Sequence, residues 1–248
     1  MPEDPSIAIL RDEASIFVNQ LVLRAYGNAK IPMQRLESRR VADLRSFGKQ
    51  TLLLFDGFYV RVHLLMFDSY RINEQRSIVP RLGLVFPNGT LNFYNGSVKL
   101  LEGNPDDIYD WRVDIMSDAW DEKLVRKKFR ALADALVCDA LLDQDVFAGV
   151  GNIIKNEVLY LCKVHPLSRV DALSARKANQ IVAKARAYGF RFLDWKKAHV
   201  LRKHWLVHNQ SRCPVHEIPL SRGYLGKRKR RSFYCELCQR RYGAQVGE

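Results

Sequence analysis

The stretch Gln144-Asp-Val-Phe-Ala-Gly-Val-Gly-Asn152 interrupts one helical pattern and starts another, which covers residues 153–161. Glycines at the start of a helix let a partner approach the backbone closely. The N–H groups and the dipole at that end of a helix attract phosphate. Glycine turns between helices are common, so the stretch alone predicts a helix junction, and the sequence on either side must indicate what it binds.

Helical periodicity surrounds this junction. From residue 121 to about residue 188 apolar side chains recur at helical spacing, among them Phe129, Leu136 and Val158. A further helix is expected over residues 196–207. The C-terminal half therefore reads as helical, and it closes with a short segment rich in Cys and Arg.

The N-terminal half has a different texture. Residues 4–18 have helical spacing, with Asp4 and Pro5 as starting residues. Short apolar runs then predict strands at 51–55, 59–65, 82–86 and 91–94, and the dipeptides Asp56-Gly57 and Asn88-Gly89 indicate hairpin turns between them. We expect an antiparallel sandwich or barrel here, followed by a connector over residues 103–120.

Charge is distributed unevenly along the 248 residues. Residues 1–120 contain 14 basic and 15 acidic side chains, whereas residues 121–248 contain 26 basic and 12 acidic ones, so the net charge of +13 comes from the second half. Cations near phosphates release condensed counterions, so a basic half is typical of nucleic-acid binding, although a solvated basic face gives the same count. The longest apolar stretch, residues 51–67, is broken by charged side chains, and no membrane-spanning segment or secretory signal is expected.

Two pairs of metal-ligand residues lie near the C-terminus. Cys213-Pro-Val-His216 and Cys235-Glu-Leu-Cys238 each have two intervening residues, and 18 residues separate the pairs. This spacing predicts a structural zinc site with four protein ligands, although His204 or His208 could take the place of His216. Five cysteines, three of them in the last 36 residues, favour a metal site in a reducing compartment over a disulfide framework.

Five consecutive cations, Lys227-Arg-Lys-Arg-Arg231, lie between the two ligand pairs. On the tip of a metal-held hairpin, Lys229, Arg230 and Arg231 would reach phosphates directly. A localisation signal or a solvated run is the alternative.

Three features occur in the same order in one family. They are Pro2-Glu3, the segment Gly149-Val-Gly-Asn-Ile with Glu157-Val-Leu and His165-Pro166, and the Cys/His pairs. The chain resembles the formamidopyrimidine-DNA glycosylase/endonuclease VIII family of base-excision repair enzymes. The resemblance implies an α+β protein with an N-terminal antiparallel β-sandwich catalytic domain at 1–120, a helix–two-turns–helix domain at 121–210 and a zinc-finger β-hairpin at 211–248. It also implies one structural Zn²⁺, damaged DNA as partner in a cleft between the domains, no membrane association, and a monomer.

The resemblance also implies how the chemistry is divided. Pro2, exposed when the initiator Met is removed, would attack the sugar C1′, and its amine titrates well below a lysine side chain. Glu3 would act beside it as general acid and base. Lys49 would contact a phosphate flanking the lesion, and Asn152 and Arg230 would bind two adjacent phosphates, which helps to evert the nucleotide. Taken alone, an initial Met-Pro, a terminal Glu and a Lys before a strand would be ordinary features of a chain.

The void left by the everted base needs a filling residue. Met66, in His63-Leu-Leu-Met-Phe67, is the best candidate, with Leu65 and Phe67 next. The same residues could equally be part of the core at the end of a strand.

Departures from the family pattern refine the hypothesis. Ser6 stands where many members have Glu, and the segments that the purine-repairing branch uses to read the opposite base and to cap the lesion are absent. The chain is therefore placed nearer the endonuclease VIII side. We expect a cytoplasmic enzyme, nucleoid-associated in a bacterium, that is a DNA glycosylase/AP lyase removing oxidised bases, with pyrimidines favoured, by β- or β,δ-elimination. The alternatives are a catalytically weak or silent binder of abasic or damaged DNA, which Ser6 motivates, and a zinc-finger transcription regulator.

Overall fold

Two four-stranded antiparallel sheets make up most of the N-terminal half of the computed structural model, which describes residues 2–65 and 70–243. One sheet has the order β1-β6-β7-β5 and the other the order β2-β3-β4-β8. Their strands are β1 (Arg24–Tyr26), β2 (Asp43–Phe47), β3 (Gln50–Phe55), β4 (Phe58–Leu64), β5 (Tyr70–Ile72), β6 (Leu82–Phe86), β7 (Gly89–Phe93) and β8 (Gly96–Glu102).

Both predicted hairpins are present. Phe55 pairs with Phe58, so Asp56 and Gly57 form the β3–β4 turn, and Gly57 takes the left-handed conformation (φ 80°) that this turn requires. In the β6–β7 hairpin Phe86 pairs with Gly89, which places the turn one residue earlier than predicted. The four predicted strands are confirmed to within two residues at each end.

Helix α1 (Asp4–Ala14) begins where the sequence predicted and continues into a 3-10 turn, Ser15–Phe17. Its buried face joins a core that draws on both sheets, so the unit is a sandwich closed by a helix. This face includes Ile7, Leu10 and Ala14, and the core opposite it includes Leu44, Leu53, Val60, Leu84 and Phe93. This packing places α1 against strands β2 and β3.

The second half is helical and carries one hairpin. It contains α2 (Glu122–Ala131), α3 (Val137–Ala140), α4 (Asn152–Leu161), α5 (Ala175–Lys197), β9 (Ser221–Leu225) and β10 (Arg230–Tyr234). The predicted helix over residues 196–207 is wrong. Instead, α5 ends at Lys197, because His199 takes a left-handed conformation (φ 59°), and only a 3-10 turn, Leu201–His204, follows.

The chain divides into two compact units, 1–110 and 111–248. The second unit starts ten residues before the boundary expected at 120, because the connector is hydrogen-bonded to the helical part. Ala148 donates to the Val113 carbonyl at 2.9 Å, and Ile115 donates to the Ala148 carbonyl at 3.2 Å. The hairpin of residues 221–234 belongs to the same unit, where β10 contacts α4. Among the described residues, no helix is both long and apolar enough to cross a membrane.

Candidate functional site

The glycine-rich turn before α4 is held closed by one side chain. Gln144 Nε2 donates to the carbonyls of Leu142 (2.9 Å) and Val150 (3.2 Å), and its Oε1 accepts from the Gly149 N–H at 3.2 Å. Gly149 has φ 95°, a conformation that favours glycine. The turn therefore fixes the start of α4, whose first residue is Asn152.

Asn152 joins this helix start to the hairpin. Its Nδ2 donates to the Arg231 carbonyl at 2.8 Å, and its Oδ1 accepts from the ammonium of Lys155 at 2.9 Å. Lys155 is fully buried and also reaches Ser232 Oγ at 2.8 Å and the Arg231 carbonyl at 3.3 Å. Thus the structure brings together two of the predicted phosphate-binding positions, 152 and 231.

The turn between β9 and β10 carries the predicted basic run. Its backbone is anchored by Asp139, whose carboxylate accepts from the N–H groups of Lys227 (2.8 Å) and Arg228 (3.1 Å). Gly226 lies against the same carboxylate with φ 75°, and an added Cβ would come within 2.5 Å of both carboxylate oxygens. The side chains of residues 227–231, including Lys229, Arg230 and Arg231, are exposed. An anchored backbone with exposed cations suits binding to a fixed pattern of phosphates.

The four predicted metal ligands converge. Their ligand atoms all lie within 4.8 Å of one another in a group of Cys213, His216, Cys235 and Cys238. His216 Nδ1 lies 3.3 Å from Cys238 Sγ and 3.6 Å from Cys235 Sγ, and Cys213 Sγ lies 3.6 Å from Cys238 Sγ. A tetrahedral zinc with these ligands separates their atoms by roughly 3.5–3.8 Å, so the geometry fits such an ion.

His208 and His204 do not belong to this group. His208 is buried and its Nδ1 faces Asn156 Nδ2 at 3.0 Å, while the His204 ring stacks on Trp195 with centroids 4.3 Å apart. Burial, with smaller effects from the charges of Lys155 and Arg231, lowers the pKa of His208 to about 4. The ligand set with His216 is therefore the one that the structure supports.

Two side chains that sequence reasoning missed support the cluster. The Tyr160 hydroxyl, on α4, lies 3.4 Å from Cys213 Sγ and 3.7 Å from Cys238 Sγ. Gln239 accepts from the Cys235 N–H at 2.9 Å and donates to the Val164 carbonyl at 2.9 Å. Side chains that orient metal ligands by hydrogen bonding in this way change the affinity of the site for its metal. A Tyr near the end of a helix gives no sign of this role in the sequence.

Glu157, whose role the sequence left open, holds the segment that follows the 3-10 turn. Its carboxylate accepts from the N–H groups of Leu206 (2.9 Å), Val207 (3.0 Å) and His208 (2.8 Å). Burial raises the pKa of Glu157, and these three hydrogen bonds oppose the rise.

The predicted catalytic residues lie in the first unit, and all are buried. Glu3, which is 2% exposed, is the residue before α1, and Pro2 precedes it. Lys49 is 9% exposed and lies in the β2–β3 turn after Gly48, so it is not an edge lysine in solvent. The charge of Lys49 also reaches His63 on β4, whose pKa is lowered first by burial and then by Lys49 and Arg61. The catalytic roles of Pro2, Glu3 and Lys49 stay predictions.

Of the void-filling candidates, the structure describes only Leu65, the residue after β4. Met66 and Phe67 lie outside the described residues, and Leu65 is half exposed (52%). The assignment of Met66 stays a prediction.

Comparison with known proteins identifies the helical domain. Residues 113–188 match the formamidopyrimidine-DNA glycosylase H2TH domain. Endonuclease 8-like 2 of Bos taurus is 32% identical over 205 residues, which cover 75% of this chain and 60% of that protein. Endonuclease 8-like 3 of Mus musculus is 29% identical over 206 residues, which cover 79% of this chain and 34% of that protein. The chain thus spans between about a third and three-fifths of the length of these curated relatives.

Solved structures share the fold. A viral DNA glycosylase superposes with a TM-score of 0.84 and 20% identity over 96% of this chain and 100% of that one. Lactococcus lactis formamidopyrimidine DNA glycosylase, bound to DNA containing an AP site, gives 0.83 and 20% over 96% and 100%. At this identity the likeness is one of fold. Since the domain match, the relatives and the fold agree with the glycine turn and the Cys/His cluster, the chain belongs to the formamidopyrimidine-DNA glycosylase/endonuclease VIII family, on its endonuclease VIII-like side.

Proposed function

We propose that the protein is a DNA glycosylase/AP lyase that removes oxidised bases from DNA, with Pro2 as nucleophile. The observation that carries the proposal is the burial of both Pro2 and Glu3 at the start of α1. A carboxylate is rarely buried, because removing its charge from water is costly, so the burial of Glu3 beside Pro2 points to a role for this segment. The names of the relatives, Endonuclease 8-like 2 and 3, support the same activity.

The reaction begins at the Pro2 nitrogen once Met1 has been removed. Its lone pair attacks C1′ of the damaged nucleotide, and the bond from C1′ to the base breaks with its electron pair leaving on the base, which takes up a proton. Opening of the sugar at O4′ then gives an iminium ion between the Pro2 nitrogen and C1′. Loss of a C2′ proton expels the 3′ phosphate, and water finally releases the sugar and regenerates the amine.

Glu3 and Lys49 assist this sequence. The carboxyl group of Glu3 gives a proton to O4′ as the ring opens, which is general acid catalysis worth about 10²–10⁴-fold. Lys49 is a buried cation in the same unit, and it would hold a phosphate beside the lesion. Its desolvated charge interacts more strongly with a phosphate than a charge in water would.

The second unit holds the backbone of the DNA. Asn152 and Arg230 bind adjacent phosphates, and Lys229 and Arg231 extend the basic contact. Met66, in the N-terminal half of the sequence, would fill the gap left by the everted base. Kinking the duplex at two pinned phosphates lowers the cost of everting the nucleotide.

The Cys213, His216, Cys235 and Cys238 group would hold one Zn²⁺. All four positions are supplied by the protein, so the ion would have a structural role and leave no place for a reactive water. It would fix the ends of the hairpin whose turn presents the cations.

The test is borohydride trapping with control of the chain terminus. One preparation that retains Met1 is divided, and half is treated with methionine aminopeptidase to expose Pro2, as verified by intact mass. We expect the treated half to form a covalent complex with a duplex carrying an oxidised pyrimidine, and the untreated half to form none. Equal trapping by both halves would defeat the role of Pro2.

Two further results separate the alternatives. Glu3→Gln should slow base removal at least 10²-fold with unchanged binding. Tight binding of the lesion duplex by the treated chain, with the strand intact and nothing trapped, would favour a catalytically silent binder instead, the case that Ser6 motivates.

A further inference from the structure

Lys155 is a fully buried cation at the joint between α4 and β10. Its ammonium lies within hydrogen-bond distance of three oxygens, Asn152 Oδ1 (2.9 Å), Ser232 Oγ (2.8 Å) and the Arg231 carbonyl (3.3 Å). Removing an ammonium from water is costly, and an apolar side chain of similar length would fill the same space without that cost. The charge at position 155 therefore calls for an explanation beyond packing.

The contact with Asn152 sets the direction of that amide. An Asn side chain has one acceptor end and one donor end. With Lys155 on the oxygen, the Nδ2 group must point the other way, and one of its hydrogens goes to the Arg231 carbonyl at 2.8 Å. The second Nδ2 hydrogen has no acceptor among residues 2–65 and 70–243. A half-buried amide held in this direction offers a donor, which is what a phosphate oxygen needs.

We propose that Lys155 is a positioning residue for DNA binding, which locks the Asn152 amide with its donor end available to a phosphate and ties that donor to the basic strand β10. The inference rests on the proposed function, in which Asn152 binds a phosphate of the DNA. In the absence of Lys155 the Asn152 amide could rotate and present its oxygen, which repels a phosphate. The Arg231 carbonyl would also lose one of its donors.

A double-mutant cycle tests this action through Asn152. The parent, Lys155→Met, Asn152→Ala and the double variant are each titrated with a duplex carrying a tetrahydrofuran abasic-site analogue, and with the undamaged duplex. We expect Lys155→Met to weaken abasic-duplex binding about tenfold, the scale of one hydrogen bond to a charged group, and less than about twofold when residue 152 is already Ala. Zinc content and melting temperature are measured for every variant.

The matched control is Lys177→Met. Lys177 is a partly buried lysine of the second unit, and its ammonium donates to the Cys162 carbonyl (2.9 Å) and Gln180 Oε1 (3.0 Å), neither of which belongs to the hairpin. We expect it to bind within twofold of the parent. If Lys155→Met fails to fold, Lys155→Gln takes its place in the cycle under the same criteria.

Three results would overturn the inference: unchanged affinity of the Lys155 variant, an equal loss with and without Asn152, or full affinity of Asn152→Ala. An equal loss would indicate a merely structural role. A parent that fails to prefer the abasic duplex would instead contradict the proposed function, and the inference with it.

Discussion

The backbone N–H of Val207 and the carboxylate of Glu157 are joined by a 3.0 Å hydrogen bond that crosses 50 residues of sequence. Together with the bonds from Leu206 and His208, it makes a buried acid the anchor of an irregular segment. Buried backbone donors must find acceptors, and no helix or strand supplies them here. Glu157 is therefore a structural residue of the helical unit.

Glu157→Gln should destabilise the protein by about 1–3 kcal/mol, because an amide NH₂ would replace one acceptor oxygen facing these N–H groups. Urea unfolding measures the change. Asp134→Asn, whose side chain is 95% exposed, is the control and should shift the free energy of unfolding by less than about 0.5 kcal/mol. Equal effects of the two variants would contradict the role of Glu157.

His208 should make the protein sensitive to acid. Its pKa falls from an ordinary 6.5 to about 4 in the folded chain, so between these values the unfolded chain binds more protons. The contribution is fully present above pH 6.5 and is lost as the pH falls towards 4, by at most about 3 kcal/mol. The difference in unfolding free energy between the parent and His208→Gln should therefore rise with pH over this window. A pH-independent difference would refute the assignment, and taking the difference cancels the titration of Glu157.

Two glycines of the same hairpin should respond differently to alanine. At Gly226 (φ 75°) a Cβ would meet the Asp139 carboxylate, so Gly226→Ala should cost about 1–3 kcal/mol and weaken DNA binding. At Gly223 the nearest atom would be Leu225 Cδ2 at 3.4 Å, an ordinary contact, and Gly223→Ala should change stability by less than about 1 kcal/mol. Thermal unfolding and duplex titration measure both. Similar losses at the two positions would argue against the anchored turn.

The proposed zinc should follow its ligands. Cys235→Ser should abolish stoichiometric zinc, as measured by elemental mass spectrometry. His216→Cys should keep it, because four thiolates also suit a structural site. The control is Cys162→Ala, a buried cysteine outside the cluster, which should retain one zinc per chain. Zinc retained in Cys235→Ser would show that another residue completes the site.

Arg230 should contribute to the salt dependence of binding. The logarithm of the binding constant falls with the logarithm of the salt concentration. If Arg230 neutralises one phosphate, Arg230→Ala makes this negative slope shallower by about 1. Arg130→Ala, at an exposed position on α2, removes the same charge and should leave the slope unchanged. Binding curves at several salt concentrations give the slope for the parent and both variants. Equal slopes for all three chains would contradict a phosphate contact by Arg230.

The sequence was most informative where one residue type has one physical use. Asp56-Gly57 predicted a hairpin because the turn needs a left-handed residue, and the spacing of the Cys/His pairs predicted a cluster that the structure assembles. Four strands were not predicted. β1 and β5 have only three residues each, which is too short to show alternation, and β2 and β8 include charged residues that interrupt the apolar pattern. The predicted helix at 196–207 failed because a single left-handed residue, His199, ended α5.

Hydrogen bonds between residues that are far apart in the sequence could not be predicted from sequence patterns. The Asp139 carboxylate binds the N–H groups of a turn 88 residues away, and Lys155 lies on α4, where sequence pattern alone would assign a lysine to the surface. In both cases the partners are backbone groups or small polar side chains, which leave no signature in the sequence. Tertiary contacts alone identify such residues.

Helix α4 is hydrogen-bonded to the hairpin through a main-chain oxygen. The Arg231 carbonyl accepts hydrogen bonds from Asn152, Lys155 and Asn156. Every amino acid has that oxygen. Evolution could therefore exchange the side chain at position 231, and with it the affinity for a polyanion, while the joint itself stayed assembled. Positions 152 and 155 cannot be exchanged in this way, because there the side chains themselves donate the hydrogen bonds.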